Sequence, residues 1–312
     1  MDQLVLDGLH GRLGPAQMTR RLALEHKHEA RMSARRLRFF GLRRWYSPSW
    51  IIRTALRCSG LYDRARKNAA RIEVRHNVVR SNRLPRPFDG LTILQISDLH
   101  ADMNQGAMGC LAKLLPTLEF DICVLTGDYR GKTYGPFEAT LDAMARVHAD
   151  LPGPVYGVLG NHDSIHMVTG LEQIGVRMLL NESAVIVRQG QEIHLAGIDD
   201  AHHFGTHDIG RAASAIPAEV FSILLSHTPE IYRDAAEAGF DLLLAGHTHG
   251  GQICLPGSIP VTLDADLPRR MGSGAWTYRE MGGYTSVGVG TSIVAARLNC
   301  PPEITLHRLV RA

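Results

Sequence analysis

The sequence predicts an α/β or α+β sandwich, and three observations carry that prediction. From Leu91 onward, short apolar runs alternate with segments of helical period, the pattern of strand–helix units around a sheet buried on both faces. Almost every run ends directly in a polar cluster. After Gly250 the pattern changes to Gly- and Pro-rich turns with short apolar pieces, which read as further strands or as a lid over a site.

Taken in order, the runs are LTILQIS, DICVLTG, PVYGVLG, VIVRQGQEIHLAGI, FSILLSH and DLLLAGH. Helices are expected between them, around 107–118, 137–149, 165–173 and 229–238, the last opening with Thr228 as N-cap and Pro229 in the first turn. The clusters SDLH, GDY, GNHD, SHTPE and GHTHGG then sit at strand carboxyl ends, where open α/β sheets place their ligands.

The net charge of +3 conceals a division along the chain. Residues 1–90 hold 20 Lys and Arg against 7 Asp and Glu, whereas residues 91–312 hold 14 against 24, so the first part is net +13 and the second net −10. The basic part, residues 1–70, reads as a mainly helical N-terminal extension ahead of a second domain over 71–312. In the segment opening at Ser47 and Pro48, Ile51, Ile52, Ala55, Leu56, Cys58 and Tyr62 share a face while Arg53, Arg57, Arg64 and Arg66 lie toward the other. With Trp45, Tyr46 and Trp50 beside Arg43, Arg44 and Arg53, this amphipathic stretch suits an anionic membrane surface, although a solvated helical hairpin fits the same pattern. Nucleic acid is disfavoured because no reading motif accompanies the charge.

The remaining composition excludes several classes. Five scattered cysteines, with no CxxC pair, argue against a disulfide framework or a zinc ribbon and for a reducing compartment. Arg20 and Arg21 do not open a twin-arginine export signal, because Glu25, Lys27 and Glu29 fall where its apolar stretch belongs. No transmembrane helix is visible, so the expected location is cytoplasmic, peripheral on the inner membrane face.

Seven residues at the ends of the runs form an ordered ligand series. Asp98 and His100, two apart, would share a face in extended backbone and grip one cation. Asp128 offers a carboxylate that can bridge two cations, and Asn161 adds a neutral oxygen. His227, His247 and His249 add imidazoles, the last two sharing one face in extended backbone, and the whole is a donor set suited to Mn, Fe or Zn more than to Mg. Taken singly, any one of the sixteen histidines reads as a surface or satisfied core residue; the ordered series is what points to a metal. His202, His203 and His207 read as a solvated loop. Arg297 reads as a contact to a substrate phosphate or as a surface salt bridge, and Gly282, Gly283 and GVGTS as turns rather than a nucleotide loop.

DxH, GD, GNHD, a lone His and GHTH, in that order, resemble the calcineurin-like metallophosphoesterases over roughly residues 70–312. GHTHGGQICLP, LPRPFDGLTILQISDLH and GVGTS followed by PPEITL look like the bacterial branch of membrane-associated phosphodiesterases and UDP-2,3-diacylglucosamine pyrophosphatases. The resemblance implies a four-layer αββα sandwich holding two divalent metal ions, Mn first, with Fe or Zn as alternatives. It implies Asp98, His100, Asp128 and His249 on one metal, Asp128, Asn161, His227 and His247 on the other, and His162 left free as a catalyst, with Asp163 to orient it. The implied reaction is hydrolysis of a phosphodiester or pyrophosphate by a hydroxide bridging the metals, its pKa lowered from 15.7 toward roughly 7. A phosphomonoesterase or protein phosphatase, or a scaffold of the same fold without metals, are the alternatives; the intact ligand series speaks against the scaffold, and the acidic catalytic region weakly against a nuclease.

Overall fold

The computed structural model describes residues 3–38 and 48–312. Its strands are β1 Glu73–Ser81, β2 Thr92–Ile96, β3 Ile122–Leu125, β4 Val155–Gly157, β5 Val176–Met178, β6 Glu182–Arg188, β7 Gln191–Gly197, β8 Ser222–Leu225, β9 Leu242–Ala245, β10 Cys254–Leu255, β11 Ile259–Pro260, β12 Gly274–Tyr278, β13 Met281–Thr285 and β14 Glu303–Arg311. The helices are α1 Gln3–Leu13, α2 Pro15–Arg38, α3 Pro48–Cys58, α4 Tyr62–Asn68, α5 Gln105–Leu114, α6 Glu138–His148, α7 Val168–Ile174, α8 Ile209–Ala213 and α9 Tyr232–Glu237.

Two six-stranded sheets result, in the orders β1-β14-β2-β3-β4-β5 and β12-β13-β9-β8-β7-β6. In the first, β2 to β5 run parallel and β14 is antiparallel to β2; in the second, β7, β8, β9 and β13 run parallel and the edges β6 and β12 are antiparallel. Strand alternation sends side chains to both faces. Ile93, Val124, Ile223, Leu225, Leu242 and Leu244 pack between the sheets. Leu94, Ile96 and Leu125 pack instead against α1, α2, α5, α6 and α7. Leu224 and Leu243 pack against α8 and α9. Burial on both faces is the reason these strands read as continuous apolar runs, and the layering is αββα as the resemblance implied.

Several details differ from the sequence reading. VIVRQGQEIHLAGI is a hairpin, β6 and β7, turning at Gln189 and Gly190, both at positive φ (51° and 76°). The helices expected at 165–173 and 229–238 each open with a tight turn, Ile165–Met167 and Pro229–Ile231, and Thr228 caps the second by accepting from the Glu230 amide. The residues after Gly250 form the short β10–β11 hairpin and then complete both sheets with β12, β13 and β14.

In the basic N-terminal part, Arg21 on α2 is wholly buried. Along α3 the expected apolar face divides: Leu56 is buried and Ile52 half-buried, while Ile51, Ala55 and Cys58 are exposed. Among the described residues no helix is long and apolar enough to cross a membrane. Arg43, Arg44, Trp45, Tyr46 and Ser47 lie outside the described residues.

Phe221 is fully buried between the sheets. Phe221→Ala is expected to lower unfolding free energy by about 3–5 kcal/mol in urea melts of the metal-free protein; a loss below about 1 kcal/mol would show that the two sheets do not share this core.

Candidate metal centre

The carboxyl ends of β2, β3 and β4 in one sheet and of β8 and β9 in the other face a common point, and each delivers its polar cluster there. Asp98 and His100 follow β2, Asp128 follows β3, Asn161 and His162 follow β4, His227 follows β8, and His247 and His249 follow β9. The expected extended backbone for the D-x-H and H-x-H pairs is absent. Asp98, His100, Asp128, His247 and His249 all have positive φ, between 40° and 71°. Asp and His tolerate this left-handed region better than most residues, and it turns side chains one and three of each motif inward from a tight loop. The loops also pack closely: a Cβ on Gly160 would lie 2.2 Å from Asp128 Oδ1, and one on Gly246 2.4 Å from Asp98 Oδ2.

All seven expected ligands gather there. Asp98, His100 and His249 bring ligand atoms within 4.8 Å of one another, as do Asp98, Asp128 and His227. His249 Nε2 is 3.5 Å from Asp98 Oδ1 and 3.1 Å from His100 Nε2. His227 Nε2 is 2.9 Å from Asn161 Oδ1, 3.2 Å from His247 Nδ1 and 3.4 Å from Asp128 Oδ2. The far nitrogens are anchored by carbonyls: His100 Nδ1 meets Arg130 O and His227 Nδ1 meets Thr126 O, each at 2.8 Å, which leaves Nε2 facing inward.

This donor set fits a metal. Asp98 Oδ1 and His247 Nε2 are buried without a hydrogen-bond partner among the described residues, a condition that is costly unless something else binds there. Burial first, then the neighbouring imidazoles, lowers His100 to about 4 and His247 to about 3, and His249 falls well below its ordinary value. These rings are therefore neutral, the form that ligates. Burial pushes the Asp98 carboxyl up to about 6. At Asp128 and His227 burial disfavours both charges, but their mutual attraction outweighs it, holding Asp128 well below the carboxylate range and raising His227 to about 10.

His162 lies beside this set. Its Nε2 is 3.8 Å from Asp128 Oδ2 and its Nδ1 is 2.8 Å from Gly131 O. Asp163 does not orient that ring. Its buried carboxylate instead accepts the amides of Asp128, Tyr129 and Gly160 at 2.8 to 2.9 Å, tying the GDY loop to the GNHD loop.

Two residues fall elsewhere than the sequence reading put them. Arg297 is neither exposed nor open to substrate: wholly buried, it donates to the carbonyls of Val287 and Gly290, and its Nη2 lies 3.1 Å from His249 Nδ1, behind that ligand. His202 is not on a solvated loop. It is half-buried, its ring centroid 4.1 Å from that of His247, and its Nδ1 is 2.7 Å from Glu230 Oε2. The overlooked signal was GIDD, which follows β7 as the other clusters follow their strands.

Glu230 would be raised by burial alone, but the hydrogen bond and charge of His202, with hydrogen bonds from the Asp266 amide and Thr228, outweigh this and take its carboxyl to about 2; the bond to Glu230 in turn raises His202. Glu230 thus stabilises the fold above its unfolded value of 4.5, and the contribution disappears as pH falls through about 2. His202 stabilises it fully below 6.5 and loses that contribution as pH rises through the raised value, so the pair is strongest between 4.5 and 6.5. In NMR titration of the metal-free protein, His202 is expected to titrate above 6.5 and to return toward it in Glu230→Gln; an unchanged midpoint would dismiss the pairing.

Comparison with known proteins agrees with this geometry. The calcineurin-like phosphoesterase family matches residues 91–251. The chain is 30% identical over 232 residues to the uncharacterized metallophosphoesterase YkoQ of Bacillus subtilis, covering 70% of this chain and 83% of that protein. It is 28% identical over 249 residues to YkuE, another uncharacterized metallophosphoesterase of Bacillus subtilis, covering 76% and 85%. To the phosphodiesterase YaeI of Escherichia coli it is 28% identical over 204 residues, covering 61% and 70%. With strand-end loops that converge on a cluster of Asp and His, and with this match across the loops that carry them, the chain belongs to the calcineurin-like phosphoesterases.

Proposed function

We propose that the protein is a dinuclear metal-dependent phosphodiesterase or pyrophosphatase acting on an amphiphilic substrate at a membrane surface. The observation that carries the dinuclear reading is the position of Asp128. Its Oδ2 lies 3.8 Å from His100 Nε2, in the group with Asp98 and His249, and 3.4 Å from His227 Nε2, in the group with Asn161 and His247. One carboxylate between two ligand groups is the arrangement expected of a bridge.

Two divalent ions, Mn by the donor chemistry, would supply polarisation of the phosphoryl oxygens and a water acidic enough to attack near neutral pH. The chain's own residues do the rest. Asp98, His100, Asp128 and His249 would hold one ion, and Asp128, Asn161, His227 and His247 the other. His162, with Nδ1 committed to Gly131 O, turns Nε2 toward the reacting side, where it can carry a proton to the leaving oxygen.

The cleft supports the proposed substrate class. A cleft of about 230 Å³ at the cluster is lined by Asp128, Asn161, His162, His247 and His249 and also by Ile52, Ile253, Val261, Ile293 and Val294. Val261 and Ile293 are more than half exposed, which for apolar side chains beside a phosphoryl site supports a ligand with an apolar part, such as UDP-2,3-diacylglucosamine. The exposed Ile51 of α3, the helix that brings Ile52 to the cleft, supports an anionic membrane surface as the setting.

His162→Asn is expected to lower kcat by about 10²- to 10⁴-fold while elemental analysis still finds the wild-type metal content; loss of metal in this variant would move His162 into the ligand set. With Mn added, bis-p-nitrophenyl phosphate is expected to be hydrolysed faster than p-nitrophenyl phosphate. UDP-2,3-diacylglucosamine should be cleaved faster from anionic than from neutral vesicles, and faster than its deacylated form. A preference for the monoester would favour a phosphomonoesterase, and equal rates for the acylated and deacylated forms would remove the apolar wall from recognition.

A further inference from the structure

The loop carrying Asn161 and His162 is gripped from behind by α2. Arg21 spreads its guanidinium over three partners from three parts of the chain. Nη2 donates to the Asp163 carbonyl at 2.8 Å, Nη1 pairs with Asp199 at 3.0 Å, and Nε pairs with Glu25 at 2.8 Å. Its Cζ stands 3.6 Å over the Phe204 ring. Glu25 continues the grip, accepting from Ser164 Oγ at 2.6 Å and from the Ile165 amide at 2.8 Å. The three residues directly after His162 are thus held through carbonyl, hydroxyl and amide.

The same guanidinium reaches a second loop of the site. Asp199 and Phe204 bracket His202 in sequence, and Asp200 accepts the amides of His202, His203 and Phe204. Arg21 therefore stands between the loop of His162 and the loop of His202. Desolvation of a wholly buried guanidinium offsets much of what its pairs return, so stability alone would be served as well by a packed apolar side chain. A rigid planar fork does what no apolar residue can: it fixes the relative placement of its partners. Arg21 and Glu25 lie outside the segment matched to the family, 91–251.

We infer that Arg21, with Glu25, is a positioning residue of the active site: α2 sets the 160–165 loop so that His162 and Asn161 face Asp128 and His227, and registers it against the His202 loop. The catalytic part of this inference rests on the proposed hydrolysis; the structural part does not.

The test compares full-length Arg21→Ala, Arg21→Lys and Glu25→Gln with wild type, by amide hydrogen exchange of the metal-free protein and by hydrolysis of bis-p-nitrophenyl phosphate with Mn²⁺. In Arg21→Ala, exchange should rise about tenfold or more at 160–165 and 202–206 with β8 and β9 unchanged. Its kcat should fall about 10- to 100-fold with KM within about threefold, as expected when reacting groups are misplaced by an ångström or less. Added guanidinium ion should restore part of that kcat and leave wild type unaffected, and Arg21→Lys should fall between the two. Folded variants with both loop exchange and kcat within twofold of wild type would overturn the inference. If Arg21→Ala does not fold, Glu25→Gln decides: faster exchange at Ile165 supports the grip, and wild-type exchange there overturns it. An inactive wild type would sink the proposed hydrolysis while exchange still decides the grip.

Discussion

The carboxylate of Asp128 is almost entirely removed from water, and both of its oxygens are committed inside the protein. Oδ1 accepts the His162 amide, and Oδ2 faces imidazole nitrogens of His100, His162 and His227. A buried charge persists only if its surroundings compensate it, and here compensation requires several strand ends to arrive together. That requirement accounts for the left-handed backbone at five of the expected ligand positions and for glycines where a Cβ would strike a carboxylate. It also explains why the two sheets present their carboxyl ends to the same place.

Two further buried charges support this arrangement from behind. Asp163 ties the GDY and GNHD loops together through backbone amides, and Arg297 holds His249 against the carbonyls of the 287–290 loop. Arg21 links the same GNHD loop to the N-terminal helix. The strongly basic N-terminal part of the chain is therefore not uniform in role: Arg21 is held inside the protein, while α3 brings Ile52 to the cleft.

Much of this was legible in the sequence. β2, β3, β8 and β9 are buried on both faces, so their apolar runs were continuous, and the ligand motifs sit directly after them. Less legible were elements whose signal is weak or local. β1 is a half-exposed edge strand rich in Arg, α8 is one short turn, and Gln189–Gly190 lies within a run that looks unbroken unless the glycine is taken as a turn. The assumption of extended backbone at Asp98, His100, His247 and His249 failed because the metal motifs begin where the strands end. Arg21 and Asp199 are 178 residues apart, and no local pattern announces such a pair. His202 was missed for a different reason: a histidine in a polar loop looks solvated until Glu230 and His247 are brought beside it.

Asp128 is proposed to lie between two cations. Diffraction from Mn²⁺-loaded crystals, collected at the manganese absorption edge, tests it directly. Two anomalous peaks are expected about 3.5 to 4 Å apart flanking the Asp128 carboxylate, one beside Asp98, His100 and His249 and the other beside Asn161, His227 and His247. A single peak, or peaks that leave Asp128 outside the coordination of either ion, would contradict it.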